Sequence, residues 1–176
     1  MIFTESKLLG AFVIDLEPFE DERGFFARCW SEEEFAARGL NPRLVETNVS
    51  VNRKEGTLRG MHFQIAPHAQ PKLVRCTAGA IYDVIIDLRP ESSTFKQWTA
   101  VELTAANHRQ IYIPEGFAHG FQTTVPDTEV LYQMSAPYVA ESARGVRWND
   151  PAFGIDWPPA ERTIIARDNA YEDWRP

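Results

Sequence analysis

Short stretches rich in β-branched and aromatic residues recur along the 176-residue chain, with turn-forming residues between them. Period-two alternation bounded by Gly, Pro, Asn and Asp is typical of strands. Nine such stretches at this spacing predict an all-β fold, either an antiparallel sandwich or a barrel. The predicted strands cover residues 11–16, 24–30, 44–51, 57–64, 72–77, 80–88, 97–103, 109–114 and 129–135.

Alternation is clearest in residues 80–88, where every even position is apolar or aromatic while Asp83 and Asp87 occupy odd positions. This pattern predicts a strand with one buried face. Strand 57–64 raises a difficulty, because strict alternation puts Arg59 and His62 on opposite faces. Gly60 between them predicts a bulge that directs both side chains into the barrel.

One helix is predicted over residues 31–39. Ser31 followed by Glu34 has the spacing of a capping box, and Gly39 is suitably placed for a C-cap. The proline-containing tail predicts a loop-rich wrap that ends in a short helix.

Length and composition predict a single domain, residues 1–176. The sequence has no run of 18 apolar residues and no signal sequence at its start, so we expect a cytoplasmic protein with no membrane segment. Cys29 and Cys76 lack zinc-site spacing and suit a reducing compartment. The net charge of −7 disfavours a nucleic-acid surface, but cations crowded into the N-terminal half suit a small anion.

The segment IPEGFAHGFQ (113–122) carries Pro114, Gly116 and His119 at the positions of the second cupin motif. The alternative is an ordinary turn followed by a core histidine. A metal-binding cupin also needs an earlier H-x-H, because a divalent ion requires three or four converging ligands. His62 stands alone in LRGMHFQ, so the sequence predicts a barrel without a metal.

A barrel that holds histidines, cations and a tyrosine without a metal is suited to proton transfer. Histidine titrates near neutral pH and serves as a base, while tyrosine serves as an acid. Cations near a developing enolate oxygen lower the barrier to removing a proton beside a ketone. Tyr132 shares a strand face with Val130 and Met134, which points it inward, although a purely structural core tyrosine is the alternative.

A set of motifs extends across nearly the whole chain: DERGFF (21–26), TLRGMHFQ (57–64), PKLVR (71–75), DVIIDLR (83–89), IPEGFAHGF (113–121), Tyr132, WNDP (148–151) and IDWP (155–158). In these motifs, and in their order and spacing, the chain resembles the dTDP-4-dehydrorhamnose 3,5-epimerase family of cupin-type epimerases. The resemblance implies a jelly-roll barrel with short peripheral helices, a nucleotide-diphosphate sugar as substrate, no cofactor, and a homodimer with exchanged N-terminal strands.

The resemblance also implies roles for individual residues. His62 is the base that removes the proton next to the C4 ketone, Asp168 supports that histidine, and Tyr132 is the acid on the opposite face. Lys72 stabilises the enolate oxygen. The implied substrate-binding residues are Arg59 and His119 around the sugar and diphosphate, Arg23 on phosphate, Tyr138 stacked on the base, and Phe26, Arg28, Glu46, Asn48 and Lys72.

Four places depart from the family pattern. The family usually has glutamate at Arg28, glutamine then aspartate at Glu46 and Thr47, lysine at Gln133, and glutamate at Ala143. The residues implied in proton transfer are retained, so the chemistry is better supported than the identity of the substrate. Another nucleotide, another 4-keto sugar, or inversion at one carbon would also fit.

Three other functions are compatible with parts of the sequence. A ketoisomerase would use the same enolate, but retention of both His62 and Tyr132 favours epimerisation. A metal-dependent cupin is disfavoured by the absence of H-x-H. A non-catalytic sugar-binding module would require every candidate site residue to be structural.

Overall fold

A computed structural model describes residues 1–175, which form two main antiparallel sheets and a separate hairpin. The six-stranded sheet has the order β1 (Ile2–Glu5), β2 (Phe12–Asp15), β10 (Gln110–Ile113), β7 (Lys72–Ala78), β12 (Thr128–Met134) and β5 (Glu46–Asn52). The five-stranded sheet has the order β13 (Ala143–Gly145), β6 (Leu58–Gln64), β11 (Phe117–Thr123), β8 (Ala80–Asp87) and β9 (Trp98–Thr104). The hairpin pairs β3 (Phe19–Asp21) with β4 (Gly24–Phe26).

The main core lies between the two sheets. Val74 and Val130 of the larger sheet pack there with Ile85 and Phe121 of the smaller one, all nearly inaccessible to solvent. Burial of apolar side chains from both inner faces is the main stabilising contribution in such a barrel. The predicted all-β barrel is therefore confirmed.

Two short helices lie at the periphery, α1 (Glu32–Ala36) and α2 (Ala166–Asn169). The first is shorter than predicted, because the chain turns at Gly39, whose φ of +70° is left-handed. The Ser31 hydroxyl caps the backbone N–H of Glu34 as expected, but the Glu34 carboxylate contacts Arg28 and the N-terminal amine instead. In the described part of the chain, no helix is long and apolar enough to cross a membrane.

Several strands were not predicted. β11 was missed as a separate strand although all seven of its residues are buried, because its Gly and His residues resemble a turn. β1, β3 and β13 are three- or four-residue strands identified by their pairing partners rather than by alternation.

The prediction of one buried face for residues 80–88 is wrong, since both faces of β8 are covered. Ile85 faces the main core, whereas Val84 packs on the other face in a second cluster with Trp157 of the C-terminal segment. Asp83 and Asp87 have no exposed surface. The C-terminal wrap thus encloses the strand, and Asp83 becomes an interior residue.

The predicted bulge at Gly60 is confirmed. On β11, His119 pairs with His62 and Phe121 pairs with Arg59, so two residues of β6, Gly60 and Met61, lie opposite the single residue Gly120 of β11. Gly60 has a φ of +131°, and a Cβ there would lie 2.5 Å from Gly120 Cα. Only glycine tolerates this combination of conformation and close backbone approach.

Candidate active site

Two neighbouring cavities open beside the bulge and share His62, Lys72 and Arg167 on their walls. The inner cavity has a volume of about 240 Å³ and the outer cavity about 190 Å³. Sequence-predicted residues from both sheets and from α2 line the inner cavity: Arg59, His62, Lys72, His119, Tyr132 and Asp168.

His62 and Asp168 form a hydrogen-bonded pair between β6 and α2. The imidazole Nε2 lies 2.9 Å from Asp168 Oδ1, and Asp168 Oδ2 accepts the backbone N–H of Gly60 at 3.1 Å. Burial raises the pKa of Asp168, but the hydrogen bonds from His62, Gly60 and Arg167 outweigh burial and hold it below its ordinary value. An ionised carboxylate accepts a proton-bearing Nε2, which leaves the basic lone pair of His62 on Nδ1.

Arg167 contacts both members of this pair, a contact that sequence reasoning missed. Its Nε donates to Asp168 Oδ1 at 3.1 Å, and its Nη2 lies 3.4 Å from His62 Nε2. The signal that was available is its position next to Asp168 in the segment ARDN. Arg167 therefore adds a cation to both cavities.

A second histidine–aspartate pair lies deeper in the barrel. His119 Nε2 lies 2.8 Å from Asp83 Oδ2, and both side chains are almost completely buried. Burial lowers the pKa of His119 and the charge of Asp83 opposes this, with burial the larger effect. Within residues 1–175, the other oxygen of Asp83, Oδ1, has no hydrogen-bond partner.

Asp83 was missed because alternation was taken to give its strand a single apolar face. The pairing of β8 with β11 corrects this, since Asp83 pairs with Phe121, a core residue on the same face as His119. Paired residues in antiparallel strands project to the same side of the sheet. The face of β8 that carries Asp83 is therefore the interior face.

Lys72 projects from β7 into both cavities. Its Nζ donates to the carbonyl oxygen of His62 at 3.3 Å. Burial lowers the pKa of Lys72 to about 8, and the negative charge of Asp83 limits this shift. Lys72 is therefore mostly protonated at neutral pH and is a cation within reach of both cavities.

Tyr132 points into the barrel, as its position in β12 predicted. Its ring contacts His119 edge-on, with the ring centroids 6.0 Å apart, and also contacts Phe121. Burial, followed by the charge of Asp83, raises the pKa of Tyr132 far above its ordinary value. The phenol is thus protonated at neutral pH, the state required of a proton donor. Arg59 is held nearby by a 2.8 Å hydrogen bond from its Nε to Asn52.

Tyr138 and Ala143 line the outer cavity. The backbone N–H of Tyr138 donates to Glu46 Oε1 at 3.1 Å. Glu46, one of the residues that depart from the family pattern, therefore holds the segment that carries Tyr138. Asn48 is exposed on the edge strand β5, directly paired with Tyr132. Neither Glu46 nor Asn48 lines either cavity.

The structure of one chain does not bring Arg23, Phe26 and Arg28 to these cavities. Arg23 is exposed and pairs with Asp21 in the hairpin, and Phe26 is 74% exposed. Arg28 pairs with Glu34 beside a separate surface cavity. Their implied role in substrate binding would require a second chain.

No group of three His, Cys, Asp or Glu side chains in residues 1–175 is arranged to hold a metal ion. His62 and His119 are each hydrogen-bonded to a separate aspartate.

The family model for dTDP-4-dehydrorhamnose 3,5-epimerase matches residues 5–175. The chain belongs to this family. It is 43% identical over 171 residues to the dTDP-4-dehydrorhamnose 3,5-epimerase of Salmonella typhimurium, covering 97% of this chain and 93% of the relative.

Solved structures of family members superpose closely on the chain. The dTDP-4-dehydrorhamnose 3,5-epimerase of Bacillus anthracis with TDP and PPi bound has a TM-score of 0.94 and 41% identity, covering 98% of this chain and 99% of that chain. The dTDP-6-deoxy-D-glucose-3,5-epimerase of Legionella pneumophila in complex with dTDP-4-keto-L-rhamnose has a TM-score of 0.91 and 34% identity, covering 98% of this chain and 92% of that chain. The fold is thus the cupin-type jelly-roll barrel with short peripheral helices that the sequence predicted.

Proposed function

We propose that the protein is a dTDP-4-dehydrorhamnose 3,5-epimerase, which inverts C3 and C5 of a nucleotide-linked 4-keto-6-deoxy sugar. One observation carries this proposal: His62 and Tyr132 belong to opposite sheets and line the same cavity. Inversion at a carbon requires a base on one face and an acid on the other. Two opposed walls with a base on one and an acid on the other meet this requirement.

His62 starts the reaction by removing the proton from a carbon next to the C4 ketone. The electron pair of the broken C–H bond forms the enolate, and negative charge develops on the C4 oxygen. The Lys72 ammonium group stabilises this oxygen. Asp168 stabilises the imidazolium that forms on His62 and keeps its ring oriented.

Tyr132 completes the inversion by donating its phenolic proton to the opposite face of the same carbon. The enolate collapses to the ketone, and proton exchange with solvent returns His62 and Tyr132 to their starting states. Because C3 and C5 both adjoin the C4 ketone, the same enolate chemistry serves at each carbon in turn.

Substrate binding is supported by the charge of the cavities. The guanidinium groups of Arg59 and Arg167 and the deeper His119 suit the sugar and the diphosphate, while Tyr138 at the outer cavity suits a stacked base. TDP and dTDP-4-keto-L-rhamnose are bound in the two family structures described above. The reaction proposed here uses no metal and no organic cofactor.

We further propose a homodimer with exchanged N-terminal strands. The hairpin presents Phe19 and Phe26, each 74% exposed, and the edge strand β5 presents Val49 and Val51, which are 54% and 60% exposed. Apolar surface of this kind on a sheet edge is typical of a subunit interface. Exchange would bring Arg23, Phe26 and Arg28 to the partner's cavities.

The protein is proposed to act as one domain, residues 1–176, in the cytoplasm. Cys29 and Cys76 are both free thiols, which suits a reducing compartment. A nucleotide sugar is the proposed partner, and the acidic chain is not expected to bind nucleic acid.

The proposal is tested by incubating the protein with dTDP-4-keto-6-deoxyglucose in deuterated water and following C3 and C5 by NMR. We expect deuterium and inversion at both carbons. Exchange at one carbon would indicate a single-centre epimerase, and a carbonyl moved to C3 would indicate a ketoisomerase. Binding without exchange would overturn an enzymatic function, and activity lost to chelation and restored by metal would indicate a metal-dependent cupin.

A further inference from the structure

Tyr171 lies beside His62, and its ring packs against the backbone of Gly145. Its ring is 6.2 Å from the His62 ring, centroid to centroid, at an interplanar angle of 73°. Gly145 is the residue of β13 that pairs directly with His62. A Cβ at Gly145 would lie 2.2 Å from Tyr171 Cζ, so the tyrosine ring occupies the space that a side chain at Gly145 would fill.

The C-terminal segment therefore contacts the His62 imidazole at two points. Asp168 lies in α2, and Tyr171 follows just after the C-cap of that helix, Ala170. Asp168 holds Nε2 by a hydrogen bond, while Tyr171 packs edge-on against the ring. A single hydrogen bond leaves an imidazole free to pivot about the bonded nitrogen, and a second contact on the ring removes that freedom.

We propose that Tyr171 is a positioning residue for His62, which keeps the imidazole directed at the inner cavity. This inference rests on the proposed role of His62 as the base. The side chain of His62 is 34% exposed, so protein atoms do not enclose it on every side. Tyr171 lines the outer cavity and covers the imidazole from that direction.

The aromatic ring, rather than the hydroxyl, carries the proposed role. Burial raises the pKa of Tyr171, the charge of Arg167 lowers it by less, and the phenol stays neutral at the pH of the reaction. None of the hydrogen bonds found in residues 1–175 involves its hydroxyl. Phenylalanine should therefore replace tyrosine at this position, whereas alanine should not.

The test measures kcat, KM and the rate of deuterium exchange for Tyr171→Ala and Tyr171→Phe. A displacement of about 1 Å in a catalytic group can cost about 100-fold in rate. We expect Tyr171→Ala to lower kcat and exchange by about 10- to 100-fold, with KM and dTDP affinity changed by a smaller factor than kcat. Tyr171→Phe should remain within about threefold of the unmodified enzyme.

Gly145→Ala is a second, independent variant, because its methyl group displaces the ring without removing it. Gly145 lines neither cavity, so this variant should reproduce the kcat loss of Tyr171→Ala. Tyr138→Ala is the contrasting variant in the same outer cavity, and we expect it to raise KM and leave kcat nearly unchanged. Thermal unfolding and dTDP titration of each variant report whether the fold and the site are retained.

Several results would overturn the inference. These are an unchanged kcat in Tyr171→Ala, an effect on KM alone, equal losses in Tyr171→Phe and Tyr171→Ala, or unfolding of Tyr171→Ala. If Gly145→Ala fails to fold, the comparison of Tyr171→Ala with Tyr171→Phe tests the inference. Absence of exchange in the unmodified protein would contradict the proposed function itself and is recognised before any variant is compared.

Discussion

His62 and His119 stand directly opposite each other on neighbouring antiparallel strands, and each is hydrogen-bonded to its own aspartate. The two pairs differ in accessibility, since the His62 side chain is 34% exposed and that of His119 is 4% exposed. A base that removes a proton from carbon must touch the substrate. The difference in accessibility therefore favours the proposal that His62 is the base, and His119 lies buried in the wall of the cavity.

Replacing His62 by alanine should abolish both deuterium exchange and inversion, because proton removal precedes every later step. A positioned base contributes about 10²- to 10⁴-fold to the rate. NMR of the recovered sugar in deuterated water measures both quantities at once. His68→Ala is the matched control, since His68 is bonded to Ser142 and lines neither cavity. Exchange at the normal rate in His62→Ala would show that another group is the base.

Replacing Tyr132 by phenylalanine should separate exchange from inversion. The variant lacks the proposed acid on the opposite face, but His62, the proposed base, should still remove the proton and return deuterium on the original face. The recovered substrate should then be labelled and largely uninverted. Inversion as fast as in the unmodified enzyme would contradict the role given to Tyr132.

Replacing Asp83 by asparagine should narrow the range of pH over which the enzyme is active. Burial lowers the pKa of Lys72, the proposed cation at the enolate oxygen, to about 8, so we expect activity to fall as pH rises through this value. The Asp83 charge favours the protonated lysine, and its removal should shift the alkaline limb of the kcat/KM profile to lower pH. Asp87→Asn, which also removes a buried carboxylate, is the control and should leave that limb in place.

Asp87 should make the fold sensitive to acid. Burial raises the pKa of Asp87, but the hydrogen bonds that its carboxylate accepts from Arg89, Ser92 and Thr94 outweigh burial and hold this pKa at about 2. A carboxyl with a lowered pKa contributes stability above its unfolded-state pKa and loses it as pH falls toward the folded value. We expect the free energy of unfolding to fall by about 2 kcal/mol from this group between pH 5 and pH 2.

Urea unfolding of the unmodified protein and of Asp87→Asn at several pH values checks this expectation. The variant should be less stable at neutral pH and should lose less stability on acidification. Equal acid sensitivity in both proteins would assign the effect to other carboxyl groups, such as Asp168, whose pKa is also lowered by hydrogen bonds despite its burial.

The residues that depart from the family pattern, such as Ala143 and Arg28, should change which nucleotide sugar the protein prefers. Ala143 lines the outer cavity, so Ala143→Glu adds a carboxylate where the nucleotide is proposed to bind. Competition among dTDP, UDP, GDP and CDP sugars should give a different ranking in this variant, since unpaired polar groups strongly reject a wrong partner. Arg28→Glu tests the position that dimer exchange would bring to the site. If dTDP sugars win clearly and neither variant alters the ranking, these departures carry no selectivity.

The sequence was most informative where periodicity or a local motif determines the geometry. Alternation predicted the strand that carries Tyr132, and the glycine between Arg59 and His62 predicted the bulge. The pairing of His62 with Asp168 came from the family resemblance, and the structure brings these two residues together across 106 positions of the chain.

Other features depend on contacts between distant segments, which leave no local pattern. Asp83 looked solvent-facing because alternation cannot show that the C-terminal wrap covers the second face of β8. Tyr171 and Gly145 are 26 positions apart (171 minus 145), and each looks unremarkable alone. The hairpin residues, such as Arg23, are exposed in one chain, so their proposed role depends on a second chain.

The bulge in β6 also limits which substitutions the two strands around it can accept. A Cβ on Gly60 would lie 2.5 Å from Gly120 Cα, and a Cβ on Gly120 would lie 2.7 Å from the carbonyl oxygen of Arg59. Each glycine is therefore required by the backbone of the other strand. No single substitution at either position can be accommodated without moving a strand that carries His62 or His119. The contact between the two glycines thus fixes the register of β6 against β11 beside the inner cavity, whereas Ala143 in the outer cavity lies outside this contact.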